Sequence, residues 1–279
     1  MWTLRCSPVQ RVDVRRAPAT DVGAVWAELV LRSGGDDDHD DLGHATVTNG
    51  NESLTIAVTA ERPGDIRSLL TAAVDAVAAE GGGEVHWWVQ GADDVDRDVA
   101  AAAGLSPGRR LLQLRRPLPT GLAVEVETRA FRPGHDEAAW VDVNNRAFAG
   151  HREQGGWTVD TLRRRESESW FDADGFRLHE RDGRLAAFCW TKLHEADRAD
   201  PPLGEIYVIG VDPDFQGLGL GRQLTLAGLD SISARGVATG MLYVDAANTK
   251  AVGMYEGLGF THHRVDVAFT GWVGGRTLP

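Results

Sequence analysis

Short runs rich in β-branched and aromatic residues alternate along this chain with longer runs of helical periodicity. Leu54-Thr55-Ile56-Ala57-Val58 reads as a strand and Ile66–Ala79 as a helix. Glu84-Val85-His86-Trp87-Trp88-Val89 is a second strand, followed by a helix around Val95–Ala103, then Gly104-Leu105 and a strand over Arg110–Leu114. The same order returns later. A strand spans Leu203–Val211, a helix about Gly221–Arg235 and a strand Thr239–Val244. A helix about Thr249–Glu256, Gly259-Phe260 and a strand near His263–Phe269 complete it. Strands alternating with helices define an α/β chain. Two such series in one chain suggest a duplicated unit.

Two prolines and a glycine punctuate Arg115-Arg116-Pro117-Leu118-Pro119-Thr120-Gly121, which reads as a linker. It divides the chain into residues 1–118 and 123–279, each of ordinary domain size.

Composition removes several classes of function. The chain has 279 residues, 42% of them hydrophobic and 25% charged, as expected of a soluble globular protein. No run approaches the roughly 18 apolar residues a membrane span needs. The N-terminal MWTLRCSPVQRVDVRR has neither an apolar core nor a small-residue cleavage site, so a cytoplasmic protein without a signal peptide is expected. A formal net charge of −12 argues against nucleic acid, which demands a basic surface, and is compatible with cationic substrates. Cys6 and Cys189 have no metal-like spacing, and Cys189 in Leu185–Trp190 reads as a buried strand residue. The acidic run Asp36–Asp41 reads as a solvated loop, since it lacks the ligand alternation of a calcium loop; no metal is expected. A monomer is the default expectation.

The candidate chemistry lies in Gly204–Arg222. A β-rich run ends at Asp212-Pro213, and Asp214-Phe215-Gln216-Gly217-Leu218-Gly219-Leu220-Gly221-Arg222 leads into an amphipathic run. A glycine-rich turn between strand and helix lets consecutive backbone N–H groups converge on an anion. The helix N-terminus and Arg222 add positive charge, so the segment suits a pyrophosphate. It is not a Walker loop, which ends in Gly-Lys-Ser/Thr, and the even spacing of Gly217, Gly219 and Gly221 fits a dinucleotide fingerprint poorly.

Gln216-x-x-Gly219-x-Gly221 resembles the pyrophosphate motif of the GNAT acetyltransferase superfamily. Asn248-x-x-Ala251-x-x-x-Tyr255-x-x-x-Gly259-Phe260 resembles that superfamily's last helix and strand. Several further segments are similar to those of the mycothiol synthase family, whose members are tandem GNAT proteins. They are Val143–Thr158, Phe188-Cys189-Trp190-Thr191-Lys192, Gly204–Pro213 and Met241-Leu242-Tyr243-Val244. The resemblance implies two tandem GNAT-type domains, each a mixed, largely antiparallel sheet flanked by helices. It implies acetyl transfer from acetyl-CoA to the cysteine amine of an aminothiol pseudodisaccharide, cysteinyl-glucosaminyl-inositol.

Residue roles follow from chemistry and resemblance together. Glu205 opens the strand that leads to the turn, and period-two alternation puts Glu205, Tyr207 and Ile209 on one face. The resemblance makes Glu205 the general base, acting through water, and Tyr255 the donor to the departing thiolate. Tyr255 has a reference pKa of about 10 against about 8.5 for a thiol, so a purely hydrogen-bonding role stays open. Acetyl-CoA is expected on Ile209, Gly210, Val211, Gln216, Gly217, Leu218, Gly219, Leu220, Gly221, Arg222 and Asn248. For the acceptor the resemblance points to Glu153, Lys192, Glu205 and Tyr243, with an acidic contact from the Asp36–Asp41 stretch.

In the first half the corresponding loop is Thr59-Ala60-Glu61-Arg62-Pro63-Gly64-Asp65-Ile66-Arg67. One glycine remains, proline removes an N–H, and two carboxylates would repel phosphate. This domain is expected to hold acetyl-CoA weakly or not at all. Two alternatives stand beside the favoured activity: a GNAT enzyme acting on a protein N-terminus or another small amine, and a non-catalytic acyl-CoA sensor.

Overall fold

A computed structural model describes residues 11–16, 24–33, 40–50, 53–150, 154–198 and 200–275. The chain forms two compact units, Met1–Arg110 with Val265–Pro279, and Leu111–Arg264.

In the first unit β1 (Arg11–Arg16), β2 (Val25–Arg32), β3 (Asp41–Asn49) and β4 (Leu54–Ala60) pair antiparallel in succession. Helix α1 (Pro63–Ala79) crosses over to β5 (Gly82–Val89), which runs parallel to β4. Helix α2 (Asp94–Ala102) opens on a capping box, with Asp93 and Asp96 exchanging side-chain and backbone bonds. The apolar stripe of α1 places Leu69, Leu70, Ala73 and Val77 against Leu29, Val47 and Ile56 in one core. β6 (Ser106–Pro117) has residues in both units.

The second unit begins with residues 111–117 of β6. It continues through β7 (Arg129–Ala130), α3 (Glu137–Ala147), α4 (Val159–Glu166), β8 (Phe176–Arg181) and β9 (Arg184–His194). Next come β10 (Leu203–Val211), α5 (Leu220–Ser233), β11 (Thr239–Asp245) and α6 (Thr249–Gly257). The last strand, β12 (Thr261–Gly274), runs from the second unit into the first. The pairing order within the second unit is β6, β11, β10, β9, β8, β7, with only β10 and β11 parallel.

Two expectations change here. Arg115–Pro117 is no linker: these residues pair with Thr239–Met241 as the end of β6. The boundary at 118/123 gives way to one at Arg110/Leu111. Nor does each series close on its own last strand. β5 pairs with Val267–Gly274 of β12, and β11 pairs with Leu111–Pro117 of β6, so the two series exchange their closing strands. Hydrophobic alternation marks a strand without naming its partner, which is why the sequence pattern did not separate these possibilities.

Aromatic side chains fill the second core on the α3 side. Trp140 and Trp190 are fully buried with Phe131, Phe176 and Phe188, and the Phe176 and Trp190 rings stack at 4.5 Å. At the start of α3, burial opposes ionisation of Asp136, but hydrogen bonds from Arg132 and Arg129 outweigh it and hold the carboxyl well below its usual range. On the opposite side α5 lies close to β9 and β10. A Cβ at Gly228 would sit 2.5 Å from Cys189 Sγ and 2.8 Å from Ile206 Cδ1. Gly228→Val is therefore expected to cost at least about 2–3 kcal/mol by overpacking. A denaturation midpoint equal to wild type would contradict this contact.

Candidate active site

β10 and β11 pair only over Gly204–Ile206 against Gly240–Leu242. Beyond Ile206 their ladder stops, and a cleft of about 590 Å³ opens. Its walls include Ile209, Gly210 and Val211 of β10 and Gln216, Gly217 and Gly219 of the loop. Leu220, Gly221 and Arg222 at the start of α5 and Asn248 before α6 also line it. The structure thus brings together every residue expected to hold acetyl-CoA except Leu218, whose side chain is 51% exposed and does not line the cleft. Ala147, Phe148, Phe215, Lys250, Ala251 and Met254 complete the walls; none was assigned to the donor, although Ala251 is a position of the Asn248 motif.

The loop is built to present backbone. Gly217 and Gly219 have φ of +81° and +76°, and a Cβ at either would meet nothing within 4 Å, so the space above both is open. The N-terminus of α5 carries no acidic residue in its first turn, and its unpaired N–H groups and positive dipole end face the cleft. Asn248 caps α6, its side chain accepting from Ala251 N at 3.2 Å, so a second helix N-terminus borders the same space. Asp212, 1% exposed, fixes the entry to the loop. It accepts from Asp214 N at 2.9 Å and pairs with Arg146 at 3.0 Å.

A β-bulge alters the expected face pattern of β10. Ile206 pairs with Thr191 and Val208 with Trp190, leaving Tyr207 as the extra residue. Ile209 consequently lies opposite Cys189, whose sulfur approaches α5, whereas Tyr207 packs against Trp170 and Trp190 on the α3 side. Glu205 and Tyr207 share the α3 side, but Ile209 does not join them. One inserted residue reverses every later position, and period-two counting does not register it.

Across the α3 face runs a mostly polar row in register: Lys192, Glu205, the apolar Met241 and Arg115 are successive neighbours on β9, β10, β11 and β6. The Glu205 side chain is 12% exposed and that of Arg115 13%. His194 Nε2 stands 2.7 Å from Glu205 Oε2. Lys192 Nζ lies 4.6 Å from the Trp170 ring centroid and 5.8 Å from that of Tyr207. Tyr243 Oη accepts from Gln113 Nε2 at 2.6 Å and from Arg264 Nη2 at 3.1 Å. Glu153 lies outside the described residues, as do Asp36–His39. Asp41 pairs with Arg32 at 3.1 Å.

His194, Gln113, Arg115 and Arg264 were not singled out from sequence. His194 follows Lys192 by two positions, so continuing the strand of Leu185–Trp190 would have placed it on the same face. Replacing His194 by alanine is expected to lower kcat roughly ten- to a hundredfold, the value of one hydrogen bond to a charged group, with acetyl-CoA affinity unchanged. Unaltered turnover would show that the bond does not hold Glu205 for the reaction.

Tyr255 is 6% exposed and edge-on to Phe260 at 5.8 Å. Burial pushes its phenol far above the ordinary value, with nearby Cys189 adding to the rise. Burial likewise pushes the Cys189 thiol up, which makes it an inert core residue. Among the described residues no group of three or more His, Cys, Asp or Glu could hold a metal ion. No helix there is long and apolar enough to cross a membrane.

In the first unit, β4 and β5 also pair only over Leu54–Ile56 against Val85–Trp87, the same short parallel contact. The loop after β4 differs. Pro63 opens α1, and Asp65, 4% exposed, sits in its first turn with Arg62 Nε at 2.7 Å. A carboxylate of the chain itself therefore occupies the positive end that an incoming phosphate would need.

Fold and cleft together define a GNAT acetyltransferase, an enzyme that uses acetyl-CoA as acyl donor for N-acetylation. The family model described as "Acetyltransferase (GNAT) family" matches residues 137–260. A tandem GNAT protein from the clavulanic acid biosynthesis pathway superposes with a TM-score of 0.67 over 93% of this chain and 86% of its own, at 18% identity. A GCN5-related N-acetyltransferase from Sphaerobacter thermophilus gives 0.67 over 90% and 82%, also at 18% identity. These two likenesses concern the fold. The mycothiol acetyltransferase of Thermobispora bispora is 50% identical over 70% of this chain and 68% of its own length. That of Kocuria rhizophila is 40% identical over 92% and 87%. The chain belongs to the mycothiol acetyltransferase family.

Proposed function

We infer that this chain transfers acetyl from acetyl-CoA to the cysteine amine of cysteinyl-glucosaminyl-inositol, with Glu205 as general base. The observation that carries the reading is the parting of β10 from β11 one residue after Glu205. It frees the main chain of Ile209–Val211 to line a cleft whose other walls are the glycine loop and two helix N-termini, with Glu205 earlier on the same strand. The family relationship supports the acceptor.

The residues divide the work. Backbone N–H groups of the loop and of Leu220–Arg222 hold the pyrophosphate of the donor. Main-chain groups of Ile209–Val211, released from the ladder with β11, hold its pantetheine arm and stabilise charge on the thioester oxygen. Glu205 takes the ammonium proton through water, and the neutral amine attacks the carbonyl carbon. Collapse breaks the C–S bond and leaves the acetyl group on nitrogen, whose second proton is lost and ends on the departing CoA sulfur. The family pattern assigns Tyr255 to the departing sulfur, and the burial that raises its phenol pKa favours a hydrogen bond to the thiolate over outright proton loss. Lys192 and Tyr243 meet oxygens of the acceptor, and Glu153 is assigned to it by the same family pattern. The first unit does not seat a second acetyl-CoA, because Pro63 and Asp65 close its loop.

A competition assay tests the acceptor. With acetyl-CoA limiting, cysteinyl-glucosaminyl-inositol and a peptide bearing a free N-terminus are supplied together. Acetylation of the pseudodisaccharide ahead of the peptide is expected. Preferential acetylation of the peptide would transfer the assignment to a protein N-terminal acetyltransferase.

A further inference from the structure

Tyr243 sits at the end of a hydrogen-bond chain whose direction is fixed at every link. Asp200 accepts from both Nη atoms of Arg115, at 2.6 and 2.7 Å. A guanidinium only donates, so the Arg115 Nε contact at 2.8 Å identifies the Gln113 atom it meets as the amide oxygen. The Gln113 amide is thereby oriented, and its NH2 group donates to Tyr243 Oη at 2.6 Å. Arg264 Nη2, again only a donor, adds a second bond at 3.1 Å. Gln113 is 2% exposed and Arg115 13%, so neither side chain turns freely.

With two donors on its oxygen, the half-buried phenol of Tyr243 has only its own O–H left to offer. Among the described residues no acceptor takes it. We infer that Asp200, Arg115, Gln113 and Arg264 are positioning residues that make Tyr243 an obligate donor, so that it selects an acceptor substrate by an oxygen lone pair. A hydroxyl, ring or amide oxygen of the substrate satisfies it, whereas an N–H or ammonium group at that point is rejected. The inference rests on the acetyltransferase reading of this site and adds to it which atom type the acceptor must present.

Gln113→Glu tests the direction of the chain with little change of shape. A carboxylate still accepts from Arg115 but can also accept from Tyr243, turning the phenol proton inward. The KM for cysteinyl-glucosaminyl-inositol is expected to rise on the order of tenfold, with the KM for acetyl-CoA unmoved. In a Tyr243→Phe background the same change is expected to have almost no further effect. A merely structural role for Gln113 would raise KM equally in both backgrounds, and that result, or a wild-type KM in Gln113→Glu, would overturn the inference. Asp200→Asn, a more exposed change at the far end of the chain, serves if Gln113→Glu folds poorly. It should raise the acceptor KM in the same Tyr243-dependent way. Absence of acetylation by the wild-type protein would instead count against the acceptor assignment, so the two failures are distinguishable.

Discussion

Glu205→Gln lowers kcat by about a hundred- to a thousandfold, the range of a positioned general base, while acetyl-CoA binds as before. The expectation rests on where Glu205 stands. It is the middle of the three β10 residues that pair with β11, its side chain is 12% exposed, and it is held by His194 at 2.7 Å. Glutamine preserves the shape and a hydrogen bond but not the ability to take a proton. The defect should narrow as pH rises through the reference α-amine pKa of about 8, because the acceptor then arrives neutral. Rates measured from neutral to alkaline pH check this. Turnover near wild type in Glu205→Gln would remove the carboxylate from the mechanism. Normal binding with lost turnover also excludes a non-catalytic acyl-CoA sensor, which has no use for a base.

The second large effect falls on the donor. Gly219 has φ of +76° and forms the N-cap of α5. A β-branched side chain in that conformation costs roughly 1–3 kcal/mol and also intrudes on the space where the loop presents its N–H groups. Gly219→Val is expected to raise the Kd for acetyl-CoA roughly ten- to a hundredfold by titration calorimetry. Its effect on acceptor KM should be small, since the polar row on the α3 face lies away from the loop. Arg62→Ala, in the corresponding loop of the first unit, should leave acetyl-CoA affinity unchanged, because Pro63 and the buried Asp65 already close that loop to phosphate. A loss of affinity in Arg62→Ala would indicate a donor site in the first unit.

Much of this architecture was legible where local chemistry dictates it. The Gly204–Arg222 segment announced strand, anion-binding turn and helix because glycine spacing and a helix start have local causes. The ten elements of the two repeated series were found in order, within a few residues of their ends. What stayed hidden depends on contacts far apart in sequence. The exchange of closing strands between the series leaves no mark on either strand's own pattern. Arg115 sits beside Pro117 and looked like part of a linker, yet its pairing with Met241 and Asp200 places it in the polar row. The bulge at Tyr207 was invisible because a single added residue leaves hydrophobicity unchanged while moving Ile209 to the other face. Helices α3 and α4 were missed for a different reason. Their charged and asparagine-rich turns resemble loop composition, and their stability comes from packing around Trp140 and Leu162.

The Gly204–Arg222 segment has a narrower role than its motif alone implies. It supplies a donor cleft in the second unit, and Glu205 at its head is the base we propose for an amine on the α3 face. The most direct measurement is incubation of the full chain with acetyl-CoA and cysteinyl-glucosaminyl-inositol, with the product fragmented by mass spectrometry. One acetyl group on the cysteine nitrogen, a free thiol, and release of one CoA for each product are expected. Absence of product, or acetyl carried on sulfur alone, would contradict the proposed transfer.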